Sequence, residues 1–149
     1  MSAYSVKLVC SGISYQNGNQ IPADPKRETF AQIIDQVCKK YQLTRDQIMK
    51  KGGGRDVSWP RFEAIARMRT VRIGGGVASL PRIGSVIGGL DHTSCLHAIR
   101  RYEEIMEFKR SHNLPTNTVF LANADQYEAF REYRKKQSSL SRRMMARAA

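Results

Sequence analysis

The chain is poor in acidic residues and has no closely spaced cysteines, and both absences restrict what it can be. Only 13 aspartates and glutamates stand against 25 lysines and arginines, which gives a formal net charge of +12 over 149 residues. Such an excess favours polyanionic partners, with nucleic acid ahead of an anionic membrane. Cys10, Cys38 and Cys95 form no Cys-x-x-Cys pair, which argues against a zinc ribbon or a disulfide scaffold.

Long apolar segments are missing as well. No apolar run reaches the ~18–20 residues that cross a bilayer, and the N-terminus lacks the basic segment, apolar stretch and cleavage site of a secretory signal. We therefore expect a cytoplasmic, nucleoid-associated protein with reduced thiols and no membrane partner. Because 41% of the residues are hydrophobic, the chain can build a core, and a wholly disordered basic tail is excluded.

Helical periodicity follows a weakly patterned segment, residues 1–24, which we interpret as a flexible arm with one short strand. A first helix is expected over residues 26–41, with Asp24 as its cap before Pro25, or with Thr29 as a cap one turn later. Its apolar stripe recurs at offsets 0, 3, 4, 7 and 11, at Phe30, Ile33, Ile34, Val37 and Tyr41.

Capping residues and glycines divide the next part of the chain. Thr44 predicts a short second helix, followed by a flexible basic loop at Lys51-Gly-Gly-Gly-Arg55. Ser58 is expected to cap a third helix with Pro60 in its first turn. The glycines at positions 74–76 are expected to end that helix.

Two further helices are predicted to be joined by a short glycine-containing turn. Ser79 caps the first and Asp91 the second, whose buried side is Cys95, Ala98, Ile99, Tyr102 and Met106. This arrangement is typical of a helix-turn-helix, in which the second helix enters the DNA major groove. Beyond a break at Asn113-Leu-Pro115, residues 123–137 are expected to form one more helix, followed by a basic tail.

The segment Gly88-Gly-Leu-Asp-His-Thr-Ser-Cys-Leu-His-Ala98 closely resembles a known signature. In the C-terminal DNA-binding domain of DnaA, the bacterial replication initiator, the pattern is Gly-Gly-Arg-Asp-His-Thr-Thr, two variable residues and His-Ala. Leu80-Pro81-x-Ile83-Gly84 and Val57-x-x-Pro60-Arg61 also match that family. The resemblance covers roughly residues 26–110.

The resemblance implies a mainly α fold, a helical bundle containing a DnaA-type helix-turn-helix over residues 25–112. The flexible arm precedes it, and residues 113–149 add an extra helix and the basic tail. It further implies sequence-specific binding of double-stranded DNA at DnaA-box-like sites. No Gly-x-x-x-x-Gly-Lys-Ser/Thr phosphate loop occurs, so we expect no ATPase activity, no other enzymatic activity and no cofactor.

Two sets of DNA contacts are expected. The candidate base contacts are Leu80, Pro81, Asp91, His92, Thr93, Ser94 and His97. The candidate phosphate contacts are Lys51, Arg55, Arg61, Arg82, Arg100 and Arg101. At a helix start, Asp91 can cap free amides and accept a hydrogen bond from a cytosine amino group. Arg61 matches a phosphate-binding arginine of the family, which we expect at a helix N-terminus. His92, Cys95 and His97 are not spaced as a metal site.

Three departures from the family pattern stand out. Leu90 replaces an arginine and is expected to expose an apolar side chain. Glycine takes the place of an arginine that enters the minor groove, so Lys51 or Arg55 has to substitute for it. The connection Arg72-Ile-Gly-Gly-Gly-Val77 is several residues longer than usual. The DNA sequence read here can therefore differ from the initiator's.

The biological role stays open at this point. The protein acts in replication initiation or its regulation, or as a transcription regulator of phage or prophage type. An alternative from another class is an adaptor that reuses the fold for a protein partner or for nonspecific nucleic-acid binding. In either case, a replication or transcription protein can bind the C-terminal segment. A single-strand or RNA binder is less favoured, because aromatic residues are not interleaved with the basic ones.

Overall fold

A computed structural model describes residues 13–16, 19–22, 28–73 and 75–148. Within these ranges the chain forms a helical bundle with two small antiparallel hairpins. The strands are β1 (Ile13–Gln16), β2 (Asn19–Pro22), β3 (Arg72–Ile73) and β4 (Gly76–Val77). The helices are α1 (Phe30–Tyr41), α2 (Arg45–Met49), α3 (Arg55–Thr70), α4 (Leu80–Val86), α5 (His92–Ser111) and α6 (Ala124–Ala148). The mainly α fold class is therefore confirmed.

The N-terminal part differs in detail from the expectation. Strands β1 and β2 pair with each other, so the described part of the arm holds two strands rather than one. The rest of the arm predicted over residues 1–24 lies outside the described residues, and so do Asp24 and Pro25. Helix α1 begins at Phe30, and its cap is Thr29, which forms a reciprocal capping box with Gln32.

Helix α3 begins one turn earlier than predicted. Ser58 is not its cap, because the Gly54 carbonyl already accepts bonds from the amides of Val57 and Ser58 at 3.1 and 2.9 Å. The Ser58 hydroxyl instead donates to the Gly53 carbonyl at 3.2 Å. Pro60 consequently lies inside the helix, not in its first turn, and is fully buried.

The glycines at positions 74–76 do not terminate α3, contrary to the prediction. The helix ends at Thr70, and Val71 leaves it in an extended conformation. The chain then forms the β3–β4 hairpin, in which Arg72 pairs with Val77. Gly75 has a φ of +82° there, a conformation that glycine adopts without strain.

Helices α4 and α5 form the expected helix-turn-helix, capped by Ser79 and Asp91. Their connection is too close for side chains. A Cβ added to Gly84 would lie 2.0 Å from the Leu90 carbonyl oxygen, and one added to Gly88 would lie 1.9 Å from the Met49 carbonyl oxygen. Gly84 therefore allows α4 to lie close to Leu90 in the connection, and Gly88 allows that connection to lie close to the C-terminal end of α2.

Two hydrophobic clusters hold the bundle together. The first contains residues from every helix between α1 and α5. It includes Ile33, Val37, Ile65 and Cys95, all fully buried. The second contains Ile105, Met106, Phe108, Val119, Leu121 and Phe130, and it fixes the first part of α6 against the end of α5. The predicted apolar faces of α1 and α5 thus lie in the core.

Helix α6 continues to Ala148, past the predicted end at residue 137. No glycine or proline interrupts the segment, and many of its residues are good helix formers. The predicted basic tail is therefore helical. Among the described residues, no helix is long and apolar enough to cross a membrane.

Candidate nucleic-acid interface

The first turn of α5 presents polar side chains to solvent. Asp91 caps the helix, since its Oδ1 accepts the Ser94 amide at 2.7 Å. Hydrogen bonds from Ser94 are the main reason why the pKa of Asp91 is lowered, so the carboxylate is ionised at neutral pH. His92, Thr93 and Ser94 are all exposed. The turn is thus held in place by its cap, while its side chains remain available to a ligand.

Helix α4 adds a second part to this surface at its N-terminus. Leu80 is half-buried against the first cluster, whereas Pro81 and Arg82 are exposed. Leu90, in the connection, is also half-buried and packs against the core. The expectation that Leu90 exposes an apolar side chain is therefore wrong, because the tight turn directs it inward.

A groove, which we call the recognition groove, runs beside the first turn of α5, the recognition turn. Thr93, Ser94 and His97 line it from α5, and Arg61 and Phe62 line it from α3. The exposed His97 ring stands edge-on to the Phe62 ring, with 6.4 Å between the ring centroids. The structure therefore brings most candidate base contacts of α5 to the edge of one groove.

Arg61 is placed differently from the prediction. It does not lie at a helix N-terminus but within α3, and only 7% of it is exposed. Its guanidinium donates to the carbonyls of Ile48, Gly52 and Gln47 at 2.7, 3.0 and 3.2 Å, and also to the carbonyl of Lys50. Burial lowers the pKa of Arg61. In this structure Arg61 ties α3 to the C-terminal end of α2, at Gln47, Ile48 and Lys50, and to the start of the glycine loop (residues 51–54), at Gly52. A phosphate contact of Arg61 remains a prediction.

The other candidate phosphate contacts differ in their exposure and in the residues that they contact. Lys51, Arg82 and Arg100 are exposed. Arg101 is mostly buried and pairs with Glu104 at 3.2 Å, and burial lowers its pKa. Arg55 opens α3, with its guanidinium 4.1 Å from the centroid of the Tyr127 ring in α6. The structure thus brings Arg55 and Arg101 close to α6, which the sequence had not indicated.

Residues of α6 were missed as candidates for the site. Arg131 and Arg134 line a pocket together with Arg55, His97 and Arg101. The available signals were the apolar spacing of Tyr127, Phe130 and Tyr133 and the density of basic residues after position 130. Neither signal indicates which helix these α6 residues pack against.

The described residues also show how metal-binding side chains and the α5 cysteine are placed. They contain no cluster of histidine, cysteine, aspartate and glutamate able to hold a metal ion. Cys95 is fully buried, and desolvation raises the pKa of its thiol.

The sequence matches the bacterial DnaA protein helix-turn-helix family over residues 30–101. It is 32% identical over 93 residues to the chromosomal replication initiator protein DnaA of Synechococcus sp. (strain JA-2-3B'a(2-13)), covering 60% of this chain and 19% of that protein. It is 33% identical over 90 residues to the same initiator from Xanthobacter autotrophicus (strain ATCC BAA-1158 / Py2), covering 60% and 17%. With the initiator of Rhodopseudomonas palustris (strain TIE-1), it shares 33% identity over 85 residues, covering 57% and 17%. The match thus spans less than a fifth of these relatives.

Proposed function

We propose that the chain binds double-stranded DNA at a specific, DnaA-box-like site, because its residues 30–101 match the bacterial DnaA protein helix-turn-helix family. The observation that carries the proposal is the exposed, capped first turn of α5 beside the N-terminus of α4. Recognition helices meet base edges with their first turn.

The exposed side chains at the start of α5 have chemistries suited to base edges or to the phosphate backbone. Asp91 is an ionised acceptor, which suits the amino group of cytosine. The Thr93 methyl can contact a thymine methyl, and Ser94 can donate to a phosphate. His92 and His97 supply ring nitrogens that donate to a base or to the backbone.

Exposed cations around the turn suit the sugar-phosphate backbone. Arg82 lies in the first turn of α4, Lys51 in the glycine loop and Arg100 farther along α5. Contacts of this kind supply affinity and register but no sequence preference, and they weaken as salt rises. We assign sequence selectivity to the first turn of α5 and electrostatic affinity to the surrounding cations.

The role we propose is replication initiation or its regulation, which fits the relatives' printed function. A phage-type transcription regulator would use the same chemistry and remains the second candidate. Genomic footprints distinguish the two, because origin sites favour the first role and promoter sites the second. An adaptor that uses this surface for a protein would show no sequence preference for DNA.

A selection experiment tests the proposal. The full chain would select duplexes from a random-sequence pool, and its affinity for the selected duplex and a scrambled one would be measured at several salt concentrations. We expect about 10³-fold or greater preference for the selected sequence. Equal affinity for both duplexes, with a steep loss as salt rises, would leave only nonspecific attraction and contradict the proposal.

A further inference from the structure

A pocket of about 300 Å³ lies where the start of α3, the middle of α5 and the first half of α6 meet. We call it the basic pocket. Four arginines line it, Arg55, Arg101, Arg131 and Arg134, together with the aromatic rings of Trp59 and Tyr127. Helix α6 lies beyond residues 30–101, which match the DnaA family.

The arginines of the basic pocket are not equally available. Glu104 binds both Arg101 and Arg134, at 3.2 and 3.1 Å, and so neutralises part of their charge. Arg55 and Arg131 are exposed, and neither forms an ion pair within the described ranges. The pocket therefore keeps an excess of positive charge at its mouth.

Aromatic contacts hold Arg55 in position. Its guanidinium lies 4.1 Å from the Tyr127 ring centroid and 5.7 Å from that of Trp59. Trp59 and Tyr127 are themselves in contact, with 5.4 Å between their centroids. Stacking on aromatic rings restricts the side chain without neutralising it, so Arg55 is positioned in advance for an anion.

A basic stripe continues from the basic pocket along α6. Arg131, Lys135 and Arg142 recur at offsets 0, 4 and 11, which places them on one face of the helix. All three are exposed, although Lys135 also contacts Glu132 at 2.6 Å. At a rise of ~1.5 Å per residue, the stripe is about 16 Å long, comparable with several nucleotides of backbone.

The basic pocket is continuous with the recognition groove. Phe62 and His97 line both of them, and Arg55 directly follows the glycine loop. A DNA duplex seated on the first turn of α5 would therefore lie next to the arginines of the basic pocket. A row of cations along one helix face suits a row of phosphates better than a compact ligand.

We propose that α6 is a second DNA-contacting helix, in which Arg131 and Lys135, with Arg55, bind phosphates of the duplex flank beside the glycine loop. The inference rests on the proposed function and extends it beyond the DnaA-like domain. The chain then covers a longer duplex than the box alone, and the added length lies on one side only.

Two double variants with the same charge change test this inference. Arg131→Ala with Lys135→Ala removes the proposed contacts. Lys136→Ala with Arg143→Ala removes one lysine and one arginine from the same helix, roughly 80–140° away around its axis. All four side chains are exposed, and alanine favours a helix, so circular dichroism should confirm that both variants fold.

The probe is the duplex that the wild-type chain selects, prepared at box length and extended on either side. We expect the Arg131/Lys135 variant to bind the duplex extended toward the loop about tenfold more weakly, with a salt slope smaller by about 2. Its hydroxyl-radical footprint should shorten on that flank alone. The Lys136/Arg143 variant and the box-length duplex should show little change.

Equal losses in the two variants would mean diffuse attraction and would overturn the inference. Unchanged affinity and an unchanged footprint in both variants would also overturn the inference. An acidic protein would then be the better candidate partner for the basic stripe. In both cases the wild-type chain can still prefer its selected DNA sequence, so neither result contradicts the proposed function. A wild-type chain without sequence preference would overturn the proposed function and this inference with it.

Discussion

The hydroxyl oxygen of Tyr41 accepts the backbone amide of Val119 at 2.9 Å. The same hydroxyl donates to the carboxylate of Glu63, which also binds Lys40 at 2.8 Å. Burial and the Glu63 carboxylate raise the pKa of Tyr41 well above its ordinary value, so the phenol keeps its proton. One side chain of α1 thereby holds both α3 and the segment that leads into α6.

Replacing Tyr41 with phenylalanine should destabilise the fold by about 1–3 kcal/mol, because a partly buried amide and a carboxylate oxygen lose their partner. Urea denaturation would measure the loss. Tyr133→Phe is the matched control, since within the described residues the Tyr133 hydroxyl makes no hydrogen bond while its ring packs 5.5 Å from Phe108. Similar losses in both variants would assign the effect to general packing.

His92→Ala or Thr93→Ala should reduce discrimination between the selected and scrambled duplexes by ~1–3 kcal/mol, since each variant would lose a proposed contact to a base edge. Competition binding would measure the ratio of the two affinities. His112→Ala serves as the control, because this histidine follows the far end of α5. Full discrimination in the His92 and Thr93 variants would contradict the assignment of α5.

Deleting residues 138–149 should weaken binding to all base sequences alike when duplexes of the same length are compared. The deletion removes Arg142, Arg143 and Arg147, whose attraction to phosphates does not depend on base sequence. Titrations with selected and scrambled duplexes should show parallel losses and a shallower salt dependence. If selectivity disappeared instead, the sequence-reading surface would lie in the C-terminal segment.

Gly88→Ala should destabilise the protein more than Gly89→Ala. Both residues have a φ of +69°, so an added Cβ costs about 1 kcal/mol in each. Only at Gly88 would the Cβ lie 1.9 Å from the Met49 carbonyl oxygen, whereas space is open at Gly89. Thermal melts of the two variants would test this, and equal shifts would show that the connection tolerates a wider approach.

Asp91 should make the stability of the helix-turn-helix sensitive to acid. Hydrogen bonds from Ser94 lower its folded-state pKa. The contribution of its charge is therefore complete above the unfolded-state pKa of about 3.9 and is lost as pH falls through the folded-state value. Carboxyl NMR titration would measure that value directly. Asp91→Asn should remove this component, and identical acid profiles for the two proteins would contradict it.

Local interactions made much of the fold predictable. Thr44, Ser79 and Asp91 cap helices as expected, because each side chain bonds to an amide only three residues away. The buried stripes of α1 and α5 follow directly from helical periodicity. The motif at positions 88–98 also indicated the cap of α5 and the exposed turn after it, since it includes Asp91 and the residues that follow.

Longer-range contacts account for the errors. Arg61 is buried by carbonyls that lie 9–14 residues earlier in the chain, and no local pattern reveals such bonds. The basic pocket depends on α6 docking against α3, where Trp59 meets Phe130 with 5.9 Å between ring centroids. The sequence indicated that α6 has an apolar side but not which surface it covers.

The bonds from Arg61 and Ser58 to the carbonyls of Gly52 and Gly53 affect how a ligand is captured. In an unfolded chain, three consecutive glycines have many accessible conformations, and fixing the backbone of each residue costs about 1–2 kcal/mol at 25 °C. Here that entropy is lost when the protein folds, so the loop that we propose lies beside the duplex is already ordered before binding. Substituting Arg61 would transfer part of this ordering cost to the binding step, and so weaken DNA binding beyond the loss of any phosphate contact that Arg61 itself makes.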